Sequence, residues 1–169
     1  MSVVELFLEA HSGEAGAARA HGLLVDHLER GGEAPEEEGL PPAPELLSAS
    51  LNALGEMALD RAVACGFPFD ARGLDEARAA RGLFERAVGA MPRNCEAAMS
   101  LALLHRDTGE TELALQRWQA VASMTVPQQA EGSELEEEDE WAAMLARSRR
   151  QCVPLACIQL AIALSSRGR

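Results

Sequence analysis

Apolar positions recur every three or four residues along most of this chain and almost never alternate. Leu47, Leu51, Leu54 and Ala58 step by four, three and four residues, which lines one face of a helix. The same reading extends from end to end. Ser2-Val3-Val4-Glu5 has the form of a capping box, in which the Ser and Glu side chains satisfy each other's orphan amides, and predicts a short helix to about Ala10. Glu14 to Arg30 reads as a second helix, stopped by Gly31-Gly32. Pro44 suits the first position of a third, because its missing amide has no partner there in any case, and that helix runs to about Cys65-Gly66. Phe67-Pro68-Phe69-Asp70 interrupts it, and a fourth follows from about Asp75 to Ala90, ending at Met91-Pro92. A fifth covers Cys95 to Arg106, Thr108-Gly109 makes a tight turn, and a sixth runs from Glu110 to Met124 before Val126-Pro127. Ser133-Glu134-Leu135-Glu136 is a second capping box, and Pro154 is read as the start of a last helix to about Leu164. About eight helices and no strand make this an all-α chain, one domain over residues 1–169 with loops at 32–43 and 128–133.

Composition strengthens the helical reading. Ala and Leu supply roughly a third of the residues, Ile occurs only at positions 158 and 162, and aromatics are 4%. So few β-branched and aromatic residues argue against a sandwich or barrel. All fifteen basic residues are arginine, against 27 acids, for a net charge of −12. That charge repels nucleic acid and anionic membrane surfaces. The absence of lysine excludes Schiff-base chemistry and the lysine of a phosphate-binding loop.

The most informative pattern is an internal repeat. Ala80, Phe84, Ala87 and Pro92 are followed 34 residues later by Ala114, Trp118, Val121 and Val126, with Pro127 next to it. A small residue lets two helices approach, an aromatic one turn later fills the space beside it, and the proline ends the pair. In this period and pattern the chain resembles the tetratricopeptide repeat (TPR) family. Cys95 to Gln128 fits one unit without a gap: Leu101-Ala102 at its Leu-Gly positions, Gly109 at the turn, and Ala114-Leu115, Trp118 and Val121 on the second helix. Ala98 and His105 depart from it, standing where Trp and Tyr are usual. The preceding unit matches in its second helix, Ala80 to Asn94, with Leu54-Gly55 as its Leu-Gly pair and a longer connection through Phe67-Pro68-Phe69. A third unit would begin at Trp141, with Cys157 and Ala161 at its small positions. The alternative is a generic helical bundle.

The resemblance implies antiparallel helix pairs stacked as a short right-handed superhelix, whose first helices line a concave groove for a peptide or helix of a protein partner. By that analogy the partner-binding groove holds Glu96, Met99, Ser100, Leu103 and Arg106. A subset of the family grips acidic chaperone tails with lysine, arginine and asparagine. Met99, Ser100 and Leu103 stand at those positions here, which excludes that clamp. The function implied is a non-catalytic adaptor or assembly subunit; the alternative is a regulatory domain or fragment of an enzyme.

No arrangement in the chain spells out catalysis. Asp107-Thr108-Gly109 has the letters of an aspartic-protease motif but one copy only, between helices, where the chemistry needs two carboxylates sharing a proton. His11, His21, His27 and His105 form no metal-binding pair on one helix face, and His105 is expected to pack between helices. Cys65, Cys95, Cys152 and Cys157 match no zinc spacing and read as four small buried hydrophobes in a reducing, intracellular setting. Neither a metal nor a cofactor is expected.

Six acids between Glu134 and Glu140 load the start of the late helix, and Arg147, Arg149 and Arg150 load its other end, both complementing the helix dipole. The acids suit solvation or a basic partner. The N-terminus lacks the basic start and apolar core of a signal peptide. The apolar stretch Val153–Leu164 is too short to span a bilayer. It is expected to be buried by the first helices, by a second copy or by a partner, which makes a homodimer or larger complex through 153–164 possible.

Overall fold

The computed structural model describes residues 3–11, 16–32, 41–66, 68–124 and 140–167. The expected features at Ser2, in residues 33–40 of the first loop, in loop 128–133, at the capping box Ser133–Glu136 and in the acids preceding Glu140 lie outside them. The described residues form seven helices and no strand: α1 (Val3–His11), α2 (Ala17–Glu29), α3 (Ala43–Ala64), α4 (Ala71–Ala90), α5 (Cys95–Asp107), α6 (Thr111–Ala122) and α7 (Glu140–Arg167). The all-α class is as the periodicity requires. Within the span read as one domain, the chain divides into two compact units, Met1–Pro92 and Arg93–Arg169.

In the first unit each helix packs on the next in the chain. Leu6 and Ala10 of α1, Ala20, Leu24 and Leu28 of α2, and Leu46 of α3 form one buried cluster, with Phe7, Ala43 and Leu47 against it. α3 and α4 are antiparallel along their length. The Ser48 hydroxyl near the start of α3 donates to the Ala87 carbonyl near the end of α4 at 2.7 Å. Gly55 faces Phe84, and the Ala62 carbonyl at the far end of α3 lies beside Gly73. The apolar face of α3 is turned from the one read in the sequence. Leu46, Leu51, Gly55, Ala58 and Ala62 are buried, whereas Leu47 and Leu54 are only half-buried at its flanks. Small residues take the centre of the contact because α4 comes so close. A Cβ added at Gly55 would stand 2.6 Å from the Phe84 ring.

α4 begins a turn earlier than expected, because Asp70 caps it, accepting from the Gly73 amide at 2.7 Å. Such a cap contributes about 1 kcal/mol. Gly73, Ala77, Ala80, Phe84 and Ala87 form its buried stripe.

In the second unit α5, α6 and α7 all pack on one another. Gly109, at φ +83°, makes the turn between α5 and α6, a conformation that costs glycine least. The repeated positions match in burial. Ala80 and Ala114, Phe84 and Trp118, and Ala87 and Val121 are all at most 2% exposed.

α7 departs from the expected pattern. Pro154 lies inside one continuous helix instead of starting a new one. A proline in a helix interior forfeits one backbone hydrogen bond and costs about 3 kcal/mol. Here Ser148, Cys152 and Ala156, spaced four apart on either side of it, are all buried, and this packing keeps the helix continuous through the proline. The third repeat expected from Trp141 is therefore no helix pair among the described residues. Its supposed small packing positions, Cys157 and Ala161, are exposed.

The Gly55 contact generates a paired expectation. Alanine in a helix interior normally gains about 0.5–1 kcal/mol over glycine. Gly82→Ala on α4, where an added Cβ meets nothing within 4 Å, gives that gain. Gly55→Ala instead lowers stability by about 1 kcal/mol, because overpacking a filled core costs about 1–3 kcal/mol. Urea unfolding of both variants checks this, and equal gains would show that the Phe84 ring yields freely.

Candidate functional site

α5 carries the groove residues inferred from the sequence. Asn94 caps it, its side chain accepting from the Ala97 amide at 3.0 Å. Cys95, Ala97, Ala98, Met99, Leu101, Ala102, Leu104 and His105 are all buried, so most of the helix circumference is inside the protein. What remains outside is a narrow stripe of Glu96, Ser100, Leu103 and Arg106, with Ser100 and Leu103 half-buried and the two charges exposed. Arg106 is not idle there, because its Nε pairs with Asp107 at 2.7 Å. Met99 is corrected from the groove to the interior. It is 8% exposed, a turn away from buried Cys95 on one side and buried Ala102 on the other, at the edge of the packed arc.

The Asp107-Thr108-Gly109 letters fall in the α5–α6 turn, as their single copy implies. The Thr108 hydroxyl donates to the Leu104 carbonyl at 2.9 Å. Buried His105 shares a hydrogen bond of 2.6 Å between its Nδ1 and Glu110 Oε2, which ties the end of α5 to the start of α6. This is the packing role expected of it.

The cysteines do not behave as one class. Cys65 is half-buried and Cys157 exposed, in contrast to the four buried hydrophobes expected, while Cys95 and Cys152 are buried. Cys95 is the first residue of α5, and its Sγ lies 3.0 Å from the Ser148 Oγ of α7. Cys152, one turn along α7 from Ser148, hydrogen-bonds the same sulfur. The Cys152 hydrogen bond draws the Cys95 thiol down to about 6, helped by Ser148 and opposed by burial and by the Glu96 charge. Cys152 is pushed up in turn, because its proton is held by Cys95 and because it is buried. Sequence spacing gave no sign of this cluster. The sole trace was the i,i+4 relation of Ser148 and Cys152, which means nothing until α5 is known to lie against it.

α7 presents the other notable surface. Leu155, Ile158, Ile162 and Leu164 are 50–59% exposed, so these four do not show the expected burial. Glutamine, serine and apolar residues fill 151–166, and no charge interrupts them. Arg147 is exposed, and Arg149 and Arg150 are half-buried. Arg149 shares a cleft of about 360 Å³ with Arg93, Ser123 and Met124. A second cleft, of about 600 Å³, lies in the first unit over Leu6, Leu23, Asp26, His27, Arg30, Gly31 and Gly32, where Asp26 and Arg30 neutralise each other. Among the described residues no three His, Cys, Asp or Glu side chains converge as a metal site, and no helix is long and apolar enough to cross a membrane.

The Cys95 cluster fixes the sign of a pH effect. Its folded value near 6 lies below the ordinary thiol value of 9.0, so between these limits the unfolded chain binds the extra proton. Stability therefore rises from about pH 6 to 9, and is lost as pH falls through the folded value. Above pH 9 the gain ends, because unfolded Cys152 then ionises while the native thiol holds its proton. Urea unfolding across this range shows a steeper rise for the wild type than for Cys95→Ser; parallel profiles would contradict it. Against protein-family models, curated proteins and solved structures, the chain matches none.

Proposed function

We propose that this protein is a non-catalytic interaction module, an adaptor or assembly subunit that receives a peptide or amphipathic helix of a protein partner. The observation that carries this reading is the uncharged outer face of α7. Leu155, Ile158 and Ile162 follow a three-four spacing there and remain more than half, or half, exposed. Soluble monomers seldom leave contiguous aliphatic surface in water, since each buried square ångström of it contributes about 25 cal/mol. A second helix laid along that stripe buries it.

The stacked-pair architecture of tetratricopeptide repeats belongs to the same proposal. Its support is the matched burial of Ala80, Phe84 and Ala87 with Ala114, Trp118 and Val121, and the antiparallel pairing of α3 with α4. In that architecture the α5 stripe of Glu96, Ser100, Leu103 and Arg106 is the groove, flanked by charges that set the register of a bound segment.

Two variants separate the surfaces. With Ile158→Asp/Ile162→Asp, folded by circular dichroism, the proteins that co-purify with the wild type are lost, or its mass by light scattering falls to a monomer. Leu103→Asp weakens peptide capture at least tenfold if α5 is the groove. A folded double variant that keeps both the partners and the mass of the wild type overturns the assignment to α7. Undiminished capture by Leu103→Asp overturns the assignment to α5.

A further inference from the structure

The cluster at the start of α5 lies in neither of the two proposed docking surfaces, yet it has the features of a reactive thiol pair. Cys95 Sγ is held between Ser148 Oγ, at 3.0 Å, and the Cys152 thiol, with both partners on one face of α7. Cys95 also stands at the N-terminal end of α5, where the free amides and the helix dipole favour a negative sulfur. A buried structural cysteine is normally paired with apolar neighbours and inert. This one has two polar side-chain neighbours, the Ser148 hydroxyl and the Cys152 thiol. A cleft of about 360 Å³ lies close by along the chain, lined by Arg93, two residues before Cys95, by Arg149, next to Ser148, and by Ser123 and Met124. Among the described residues its lining holds two arginines and no acid.

We propose that Cys95 and Cys152 are a peroxide-sensitive dithiol whose oxidation links α5 covalently to α7. The Cys95 thiolate attacks one oxygen of hydrogen peroxide. The S–O bond forms, the O–O bond breaks, hydroxide leaves, and the sulfur is oxidised by two electrons to a sulfenic acid. The Cys152 sulfur then attacks the Cys95 sulfur. The S–S bond forms, the S–O bond breaks, and the departing hydroxide takes the Cys152 proton to leave as water. Ser148 stays within hydrogen-bond reach of Cys95 and orients its sulfur. The product fixes the helix bearing the Leu103 stripe to the helix bearing the aliphatic face, so the redox state sets the rigidity of both surfaces.

The low-lying Cys95 thiol is consistent with this order of attack, with Cys152 as the resolving partner. Exposure alone would order the cysteines differently: Cys157 is exposed and Cys95 is 2% exposed.

The test uses the full chain, reduced, freed of reductant and treated with a small excess of hydrogen peroxide. It is then alkylated and digested for mass spectrometry. The expected product is a peptide pair joined through Cys95 and Cys152, with Cys65 and Cys157 still alkylated. Cys152→Ser gives a single added oxygen on Cys95, trapped by dimedone, and Cys95→Ser leaves Cys152 reduced. Amide exchange along 148–156 slows at least tenfold in the oxidised wild type. Four free thiols after peroxide, or a linkage through Cys65 or Cys157 in place of Cys95–Cys152, overturns the proposal. The wild-type peptide map decides this even if either variant fails to fold.

Discussion

The α3–α4 pair depends on close approach between one small residue and one aromatic ring. At Gly55 the missing Cβ is the space that the Phe84 ring occupies, and the ring is fully buried by the fit. Ala80 and Ala87 stand one turn to either side of Phe84, and Ala114 stands one turn before Trp118. Cores packed to crystal-like density leave no slack at such contacts, so a single methyl group changes their energy. The chain has four Phe, two Trp and no Tyr, and two of these six rings are spent on the repeated position. Truncating such a ring to alanine costs about 3–5 kcal/mol, a large part of a small domain's stability.

Electrostatics acts differently in the two settings. The ion pairs of Arg61 with Glu76, Arg81 with Glu85 and Arg86 with Glu29 are solvent-facing and add little, because water and salt screen them. The polar groups with more consequence are the few inside. Ser48 secures α3 to α4, His105 and Glu110 secure the α5–α6 turn, and Cys95 joins Ser148 and Cys152. Removing the Glu110 carboxylate, for one, would strip buried His105 of this partner, and an unsatisfied buried polar group costs about 1–3 kcal/mol. Polar contacts inside therefore help specify which helices meet, whereas the surface charges do so little.

The second unit combines both kinds of surface on two helices. α5 buries most of its circumference and offers only a thin mixed stripe, whereas α7 buries one face and leaves aliphatics in water. The arginines and Gln151 in the first half of α7 give way to an uncharged run over 152–166, so the exposed aliphatics are gathered toward one end of the helix.

Much of the fold was legible from residue order alone. Hydrophobic spacing, Gly and Pro stops and the 34-residue echo located the helices, the α5–α6 turn and the buried triads Ala80-Phe84-Ala87 and Ala114-Trp118-Val121. These depend on local periodicity and on chain chemistry that acts within a few residues. The errors have a common origin. Pro154 reads as a helix start, but packing at Ser148, Cys152 and Ala156 overrides its local cost. Met99 reads as a groove residue, but it sits at the rim of a buried arc that only neighbouring helices define. Leu47 and Leu54 read as the core face of α3, but the close approach of α4 favours Gly55 and Ala62 there. The meeting of Cys95 with Ser148 and Cys152 joins residues 53 or more positions apart, and no local rule links them. Sequence by itself determined which segments are helical and which of their faces are apolar, because those follow from backbone propensity and side-chain period. Only the tertiary structure decided which apolar faces are covered and which polar side chains touch, because these depend on the azimuth at which one helix meets another.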